Sequence, residues 1–292
     1  MESNMVAGVA GAVHKLQGIL LGCGYLFFPE KMKKVQVSRA IAEAEATIAH
    51  QQTLESALVS GEISLMPGLT IEETKQLYER AKPNFIARVL REEHNHEAIV
   101  GQAYIELSTA EPISDKKPED DWIHRFMDYA GKISDVDTQK LWAKILAGEV
   151  NQPGSFSLKT LETLKTLSRE DIKIFINFTK FVSSSVQVLV AENDEKKLQI
   201  DFHDKYILST CGLLATLKSG QVLQILPNST AKLSYHGKTI TCVNDANVKR
   251  EVPALLLTPA GSQLSILAGN QFDETYYQYL INLLQSHKID VR

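Results

Sequence analysis

The chain has little cysteine and no excess of positive charge. Its 292 residues include only Cys23, Cys211 and Cys242, with no CxxC or Cys/His ligand spacing. This excludes a disulfide framework and a cysteine zinc site, and it favours a protein of the reducing cytosol. The net charge of −4 and the pI near 6.1 make nucleic acid an unexpected partner.

The sequence also lacks the local motifs of common enzyme classes. Ser155 and Ser157 lie in PGSFS, which is neither a GxSxG elbow nor a phosphate-binding loop. His94 and His96 are two residues apart, so one helix face cannot present both to a metal ion. Cys211 has no basic neighbour in sequence that would activate its thiol. We therefore predict no catalytic residue, no metal ligand and no cofactor.

One catalytic alternative stays open. Asp121 and His124 are three residues apart at the start of a predicted helix, and an Asp–His pair can serve as a general base. A hydrolase or nuclease would use this pair together with His94 and Glu97. The acidic residues are also explained by the positive end of the helix dipole, so a solvated helix face is the preferred interpretation.

The N-terminal residues 5–28 form a long apolar run rich in glycine. A membrane span would place Lys15 near its centre, at a cost of roughly 2.5–3.5 kcal/mol. We expect either a helix buried in the protein or an oligomer, or an amphipathic segment at a membrane surface, and a single membrane span is the least favoured alternative. The predicted membrane or oligomer contacts are Val6, Val9, Val13, Leu16, Leu20, Tyr25, Phe27, Phe28, Lys31, Lys33 and Lys34.

The first half of the chain has helical periodicity. The Ala- and Glu-rich residues 38–61 predict a long surface or inter-subunit helix. Thr70 and Glu73 form a capping-box pattern that starts a helix ending near Pro83, and a further helix runs from Pro83 to Leu107. Residues 108–120 are polar with two prolines, which predicts a linker.

The central part predicts a group of helices. Pro118 is expected in the first turn of a helix that buries Trp122 and Phe126, and Ser134 is expected to cap the next helix. Ser157 and Ser168 are expected to cap two more. The second of these carries apolar residues around most of its circumference, which predicts a central position in the core.

After about residue 185 the pattern changes to short alternating segments. Strands are predicted in KLQIDF, QVLQIL, AKLSYHGKTITCV and PALLLT, with YHGKT as a hairpin turn and KIDV as an edge strand. The fold class is therefore mainly α, an N-terminal and central helical bundle followed by a small α+β module. The predicted divisions are 1–35, 36–107, 108–184 and 185–292.

The central block resembles a family of uncharacterised bacterial proteins, the domain of unknown function of the 2806 type. Its pattern combines an acidic-Trp helix start, QxLWAxILAGE and PGSFS. The motif residues expected to have a structural role are Trp122, Trp142, Gly148, Pro153, Gly154 and Phe156. The resemblance implies no established activity, so no catalytic residue is transferred from it.

The layout of the chain is also similar to the abortive-infection alpha family of bacterial antiphage proteins. This likeness implies a role in phage defence. The apolar N-terminal run with its following lysines, the Ala- and Glu-rich helix and the lack of a catalytic constellation predict a non-enzymatic interaction or effector protein that forms homo-oligomers and contacts a phage or host protein. We expect it in the cytoplasm or peripherally at the inner membrane. The alternative is a cytosolic adaptor or sensor whose C-terminal module binds a protein or peptide.

Overall fold

A computed structural model describes residues 15–23, 56, 70–108, 114–191, 193–218, 221–269 and 271–292. The described residues form two compact units, one within residues 15–108 and 119–146 and the other within residues 114–118 and 147–292. The predicted helix over residues 38–61 lies outside the described residues, except for Ser56. Most of the predicted N-terminal contacts lie outside them as well.

Helices dominate the first unit. In addition to a helical stretch at residues 15–22, the helices are α1 (Ile71–Ser108), α2 (Asp120–Ala130) and α3 (Val136–Asn151). The last of these continues into the second unit.

The second unit mixes helices with short strands. Its helices are α4 (Leu158–Thr166), α5 (Arg169–Thr179), α6 (Phe202–Thr210), α7 (Pro259–Ser265), a 3-10 turn (Ile266–Ala268) and α8 (Glu274–Ser286). Its strands are β1 (Gln187–Leu189), β2 (Gln221–Ile225), β3 (Ser229–Tyr235), β4 (Lys238–Asn244), β5 (Arg250–Leu256) and β6 (Asp290–Val291).

The start of α1 confirms the predicted capping box. The Thr70 backbone N–H donates to the Glu73 carboxylate at 2.9 Å, and the Glu73 N–H donates to the Thr70 hydroxyl at 3.3 Å. The predicted break at Pro83 is wrong, because α1 continues through it. A single proline removes one backbone donor, and the strong helix formers on both sides of it keep the remaining helix intact.

The helix starts in the centre of the chain differ from prediction by one or two residues. Pro118 precedes α2, whose N-cap is Glu119, so its predicted place in the first turn is wrong. Ser134 is not the cap of α3, because the Asp135 carboxylate accepts the Thr138 N–H at 2.9 Å. A carboxylate accepts this bond more strongly than a hydroxyl, since it also interacts with the helix dipole. The Ser134 hydroxyl instead accepts from Asn95 at 3.2 Å.

Aromatic rings fill the core of the first unit. Trp122 stacks on Phe126 with 5.2 Å between ring centroids, and Phe126 lies 5.3 Å from Trp142. All three side chains are buried. The predicted burial of Trp122 and Phe126 is therefore confirmed.

In the second unit both predicted serine caps are confirmed. Ser157 accepts the Thr160 N–H, and Ser168 forms a complete capping box with Asp171. The predicted central position of α5 is wrong, because Phe175 and Phe178 are buried while Ile176 is exposed. Only one face of α5 is covered, as in an amphipathic surface helix.

The strands form two antiparallel three-stranded sheets, in the orders β1-β5-β2 and β3-β4-β6. The YHGKT hairpin is confirmed: Tyr235 pairs with Lys238, and both turn residues have positive φ, 41° at His236 and 85° at Gly237. β6 confirms the edge strand in KIDV. The predicted strand in KLQIDF is wrong, because a turn and the start of α6 occupy it.

The mainly α fold with a C-terminal α+β module is confirmed. Over the described residues, no helix is both long and apolar enough to cross a bilayer.

Candidate interaction surface

The HNHE segment of α1 holds the turn between α2 and α3. The Asn95 amide donates to the Gly131 carbonyl at 2.7 Å, and Gln139 donates to the Asn95 side-chain oxygen at 3.2 Å. The His96 Nε2 lies 2.9 Å from the Met127 carbonyl. A Cβ added at Gly131 would lie only 2.8 Å from this ring nitrogen. Asn95 and His96 therefore have structural roles.

The four residues of the catalytic alternative lie on the surface of the same unit. His94, Glu97, Asp121 and His124 are exposed, and Asp121 forms an ion pair with Arg125 at 3.2 Å. Within the described ranges, no group of three or more His, Cys, Asp and Glu residues could hold a metal ion. This geometry gives no support to hydrolase or nuclease chemistry.

The AGE…PGSFS motif forms a helix corner whose centre is Glu149. This buried carboxylate accepts the Gly154 N–H at 2.6 Å through one oxygen and the Phe156 N–H at 2.9 Å through the other. Gly154 has a φ of 88°, which glycine adopts without steric cost. The motif closes the corner between α3 and α4, and both oxygens of the Glu149 carboxylate accept a backbone N–H there.

Gly148 gives the Phe156 ring room in this corner. A Cβ at position 148 would lie 2.8 Å from the ring, and Phe156 is buried. Ser157 continues from the corner into α4, where its N–H donates to Gln263 of α7 at 3.0 Å. Gly148 and Phe156 of the motif thus pack against one another in this corner.

The C-terminal part of α1 has one buried face. Ile99, Val100, Ala103 and Leu107 are buried in the first unit. Because an α-helix turns about 100° per residue, these positions share one side of the helix. This side packs in the core of the unit.

In the N-terminal half of α1, the side of the helix that is buried at residues 99–107 is exposed to solvent. Leu77, Ala81, Phe85 and Val89 recur every four residues and continue the direction of the buried face. Phe85 is 49% exposed, and the flanking Leu90 is 65% exposed. We call Leu77, Ala81, Phe85, Val89 and the flanking Ile86 and Leu90 the α1 apolar face. The Arg88 guanidinium lies over the Phe85 ring on this side, 5.3 Å from its centre, so the exposed surface is apolar with one basic side chain across it. Exposed apolar surface on one side of a helix is a candidate interaction site.

Charged side chains border the α1 apolar face. Glu73 and Arg91 are 18 residues apart, or five full turns, so they point in the same direction on one border. Lys75 and Glu93 have the same spacing and lie on the other border. Within the described part of the chain, Lys75 and Arg91 form no ion pair. The apolar centre with a charged rim is the usual anatomy of a protein–protein interface.

Sequence reasoning missed this surface. The recurrence of Leu77, Ala81, Phe85 and Val89 at four-residue steps was available, but the predicted break at Pro83 divided it between two helices. Recognising one continuous α1 joins the two halves into a single apolar row.

The predicted N-terminal contacts are described only in part. Leu16 and Leu20 are buried in the first unit, and the Cys23 thiol lies 3.8 Å from the Asp120 carboxylate. Burial and the Asp120 charge raise the pKa of the Cys23 thiol. The other predicted contacts, from Val6 to Val13 and from Tyr25 to Lys34, lie outside the described residues.

The second unit contains a cleft of about 570 Å³. Ser184 and Ser185 line it with left-handed backbones (φ 50° and 58°), opposite His236 of the hairpin turn and Ile266. The His236 Nδ1 accepts the Gln271 N–H at 3.2 Å, so its Nε2 carries the proton and donates to the Thr179 carbonyl at 3.1 Å. Both ring nitrogens are used, so this histidine positions the turn.

The thiols of the second unit are not activated. Burial raises the pKa of Cys211, and the Asp171 carboxylate raises it further. Burial raises the pKa of Cys242 to about 11. A thiol with a raised pKa is a poor nucleophile at neutral pH, which agrees with the sequence interpretation of Cys211.

Comparison with known proteins gives one relationship. Residues 79–205 match the model of a family described as "Protein of unknown function (DUF2806)". No curated protein and no solved structure matches the chain significantly. The match covers α1 from residue 79, the helix corner and the start of the second unit, and it confirms the resemblance inferred from the motifs. The central part of this chain, residues 79–205, is therefore similar to the DUF2806 family.

Proposed function

We propose that this chain is a non-enzymatic interaction protein of bacterial antiphage defence that acts by oligomerisation. The observation that supports this most directly is the α1 apolar face, because it continues a core-facing row of side chains into solvent. The layout likeness to the abortive-infection alpha family supports the role in defence. The cytoplasm, or the inner surface of the membrane, is the proposed location.

A phage-challenge assay tests this function. The phage should form fewer plaques on a lawn of cells that express the wild-type chain than on a lawn of cells with an empty vector. Phe85→Ser with Val89→Ser should remove the protection, because both changes make the α1 apolar face polar. Ile105→Ser is the matched control, since Ile105 is also an exposed apolar residue and lies on another side of α1. Protection that survives the double substitution would show the proposal to be wrong.

Membrane contact by the N-terminal segment is a separate part of the proposal. Lys31, Lys33 and Lys34 follow the apolar run and would attract an anionic surface. Liposome flotation of the full chain should exceed that of a chain lacking residues 1–35. Equal, negligible binding by both would remove the membrane from the proposal.

The cleft of the second unit favours a second candidate, a cytosolic adaptor that binds a protein or peptide there. Ile266 lies at the cleft and is 65% exposed. Ile266→Glu should abolish protection if the adaptor function is correct, while Phe85→Ser with Val89→Ser should leave it unchanged. The reverse result favours the α1 apolar face.

A further inference from the structure

We propose that the α1 apolar face binds the same face of a second copy of this chain, with the two helices antiparallel and a two-fold axis near Pro83. The proposal rests on the proposed function, because it names the partner of the same surface. A two-fold interface requires one surface to be complementary to itself, and the residues of α1 meet that requirement.

The four residues of the apolar row are arranged symmetrically about Pro83, while the flanking Ile86 and Leu90 would lie opposite Arg80 and Gln76 of the second copy. Leu77 and Val89 are each six residues from it, and Ala81 and Phe85 are each two residues from it. An antiparallel pairing therefore places Leu77 opposite the second copy's Val89, and Ala81 opposite its Phe85. Each pair joins two apolar side chains, and the small Ala81 leaves space for the Phe85 ring near the axis.

The flanking charges are centred one residue to either side of Pro83, Glu73 and Arg91 on residue 82 and Lys75 and Glu93 on residue 84. On one border of the α1 apolar face, antiparallel pairing brings Glu73 close to Arg91 of the second copy. On the other border it brings Lys75 close to Glu93.

A parallel pairing would also join opposite charges, because it brings Glu73 close to Lys75 and Arg91 close to Glu93 of the second copy. It would, however, place Phe85 against Phe85 and Ala81 against Ala81, so the pairing of a small with a large side chain favours the antiparallel orientation. Opposite charges at the flanking positions then stabilise the paired helices.

The charge pattern also argues against a lipid surface as the occupant. An amphipathic helix that binds anionic lipid carries mostly Lys and Arg beside its apolar face. The charges on both borders are mixed: Lys82 and Glu79 lie near Lys75 and Glu93, and Arg80 lies near Glu73 and Arg91. An anionic membrane would repel the three glutamates while it attracts the basic residues. The mixed border fits a second helix of the same sequence.

The molar mass of the full chain in solution gives the first test. Sedimentation equilibrium should show twice the monomer mass of 32.5 kDa. Phe85→Ser with Val89→Ser should shift the mass to the monomer, with an unchanged far-ultraviolet circular dichroism spectrum. Ile105→Ser should remain dimeric. A wild-type chain that is monomeric at every concentration would overturn the proposal.

A charge exchange tests the orientation. Lys75→Glu alone and Glu93→Lys alone each create two pairs of like charges in the dimer, and each should raise the dissociation constant about tenfold. The double variant Lys75→Glu with Glu93→Lys restores opposite charges and should restore the wild-type dissociation constant. A dimer that responds neither to these changes nor to the serine substitutions would overturn the proposal, since its interface would lie elsewhere.

The two proposals fail in different ways. If the chain dimerises as described but gives no protection in the phage challenge, the dimer stands and the defence function is wrong. If the serine substitutions abolish protection while the wild-type chain is monomeric, the α1 apolar face binds another partner and the dimer is wrong.

Discussion

The Glu149 carboxylate accepts the backbone N–H of Phe156 at 2.9 Å, and this bond joins the end of α3 to the start of the next helix. Its second oxygen accepts the Gly154 N–H at 2.6 Å. Two backbone donors that would otherwise be unpaired in the corner are thus satisfied by one buried charge. The relationship explains why a glutamate stands before PGSFS in the motif of this chain.

Glu149→Gln should lower the free energy of unfolding by about 2 kcal/mol, the cost of losing a hydrogen bond to a charged group. A glutamine offers one acceptor oxygen, so its NH₂ group must face one of the two backbone N–H donors. Urea denaturation measures the change. Glu162→Gln is the control, because Glu162 forms a surface ion pair with Lys165 and its loss should cost less than about 1 kcal/mol. Equal effects of both substitutions would contradict the central role of Glu149.

Gly148→Ala and Gly101→Ala should have opposite effects. Both glycines are helical, and alanine favours a helix by about 1 kcal/mol over glycine. A Cβ at Gly101 meets no atom within 4 Å, so that variant should gain stability. At Gly148 the Cβ would lie 2.8 Å from the Phe156 ring, and overpacking costs about 1–3 kcal/mol.

Thermal unfolding of the two variants measures this difference. We expect the melting temperature to rise for Gly101→Ala and to fall for Gly148→Ala. Adding Phe156→Leu to Gly148→Ala should reduce the penalty of the alanine, because the smaller side chain removes the close contact. A Gly148→Ala variant as stable as Gly101→Ala would show that the ring moves aside without cost.

Local signals in the sequence were sufficient for most helix starts. Thr70, Ser157 and Ser168 cap their helices as predicted, because a cap depends on residues only three positions away. Pro83 shows the limit of such signals. Its effect on α1 depends on the helix formers around it, and a local rule that ends the helix at proline hides the α1 apolar face.

Contacts between residues distant in sequence determine the secondary structure of the segments that were predicted wrongly. KLQIDF alternates like a strand, but Lys205 just after it is buried and donates to Glu195 at 2.5 Å and to the Leu217 carbonyl at 2.8 Å. These bonds tie the turn to α6. The contact of Gln263 with the corner could not be predicted from the sequence either, because Gln263 lies more than 100 residues from Ser157.

Ser185→Gly should raise the free energy of unfolding by about 1 kcal/mol. Ser185 has a φ of 58°, and a left-handed conformation costs an L-residue roughly 1–2 kcal/mol that glycine avoids. Ser184→Gly is the comparison: its φ is also left-handed, but its hydroxyl accepts the Ser234 N–H at 3.1 Å. Loss of that bond offsets the relief of strain. Urea denaturation should therefore give a higher free energy of unfolding for Ser185→Gly than for Ser184→Gly.

The tyrosines of the second unit should make its stability fall at alkaline pH. Burial raises the pKa of Tyr235 and of Tyr279 to about 12, and it raises the pKa of Tyr276 well above its ordinary value of 10.0. A raised pKa in the folded state means that folding favours the neutral phenol. The contribution of the buried neutral phenols to the free energy of unfolding is complete below about pH 10 and is lost as the pH rises toward about 12.

Urea denaturation at stepped pH, with tyrosinate absorbance as a second signal, measures this loss. Tyr235→Phe should be less stable at neutral pH, because the Tyr235 hydroxyl donates to the Lys180 carbonyl at 2.8 Å and accepts the Asp273 N–H at 3.1 Å. Its stability should then fall less steeply between pH 10 and 12 than that of the wild type, since one phenol that resists ionisation is gone. Parallel curves for the two proteins would show that Tyr235 does not contribute to the alkaline transition.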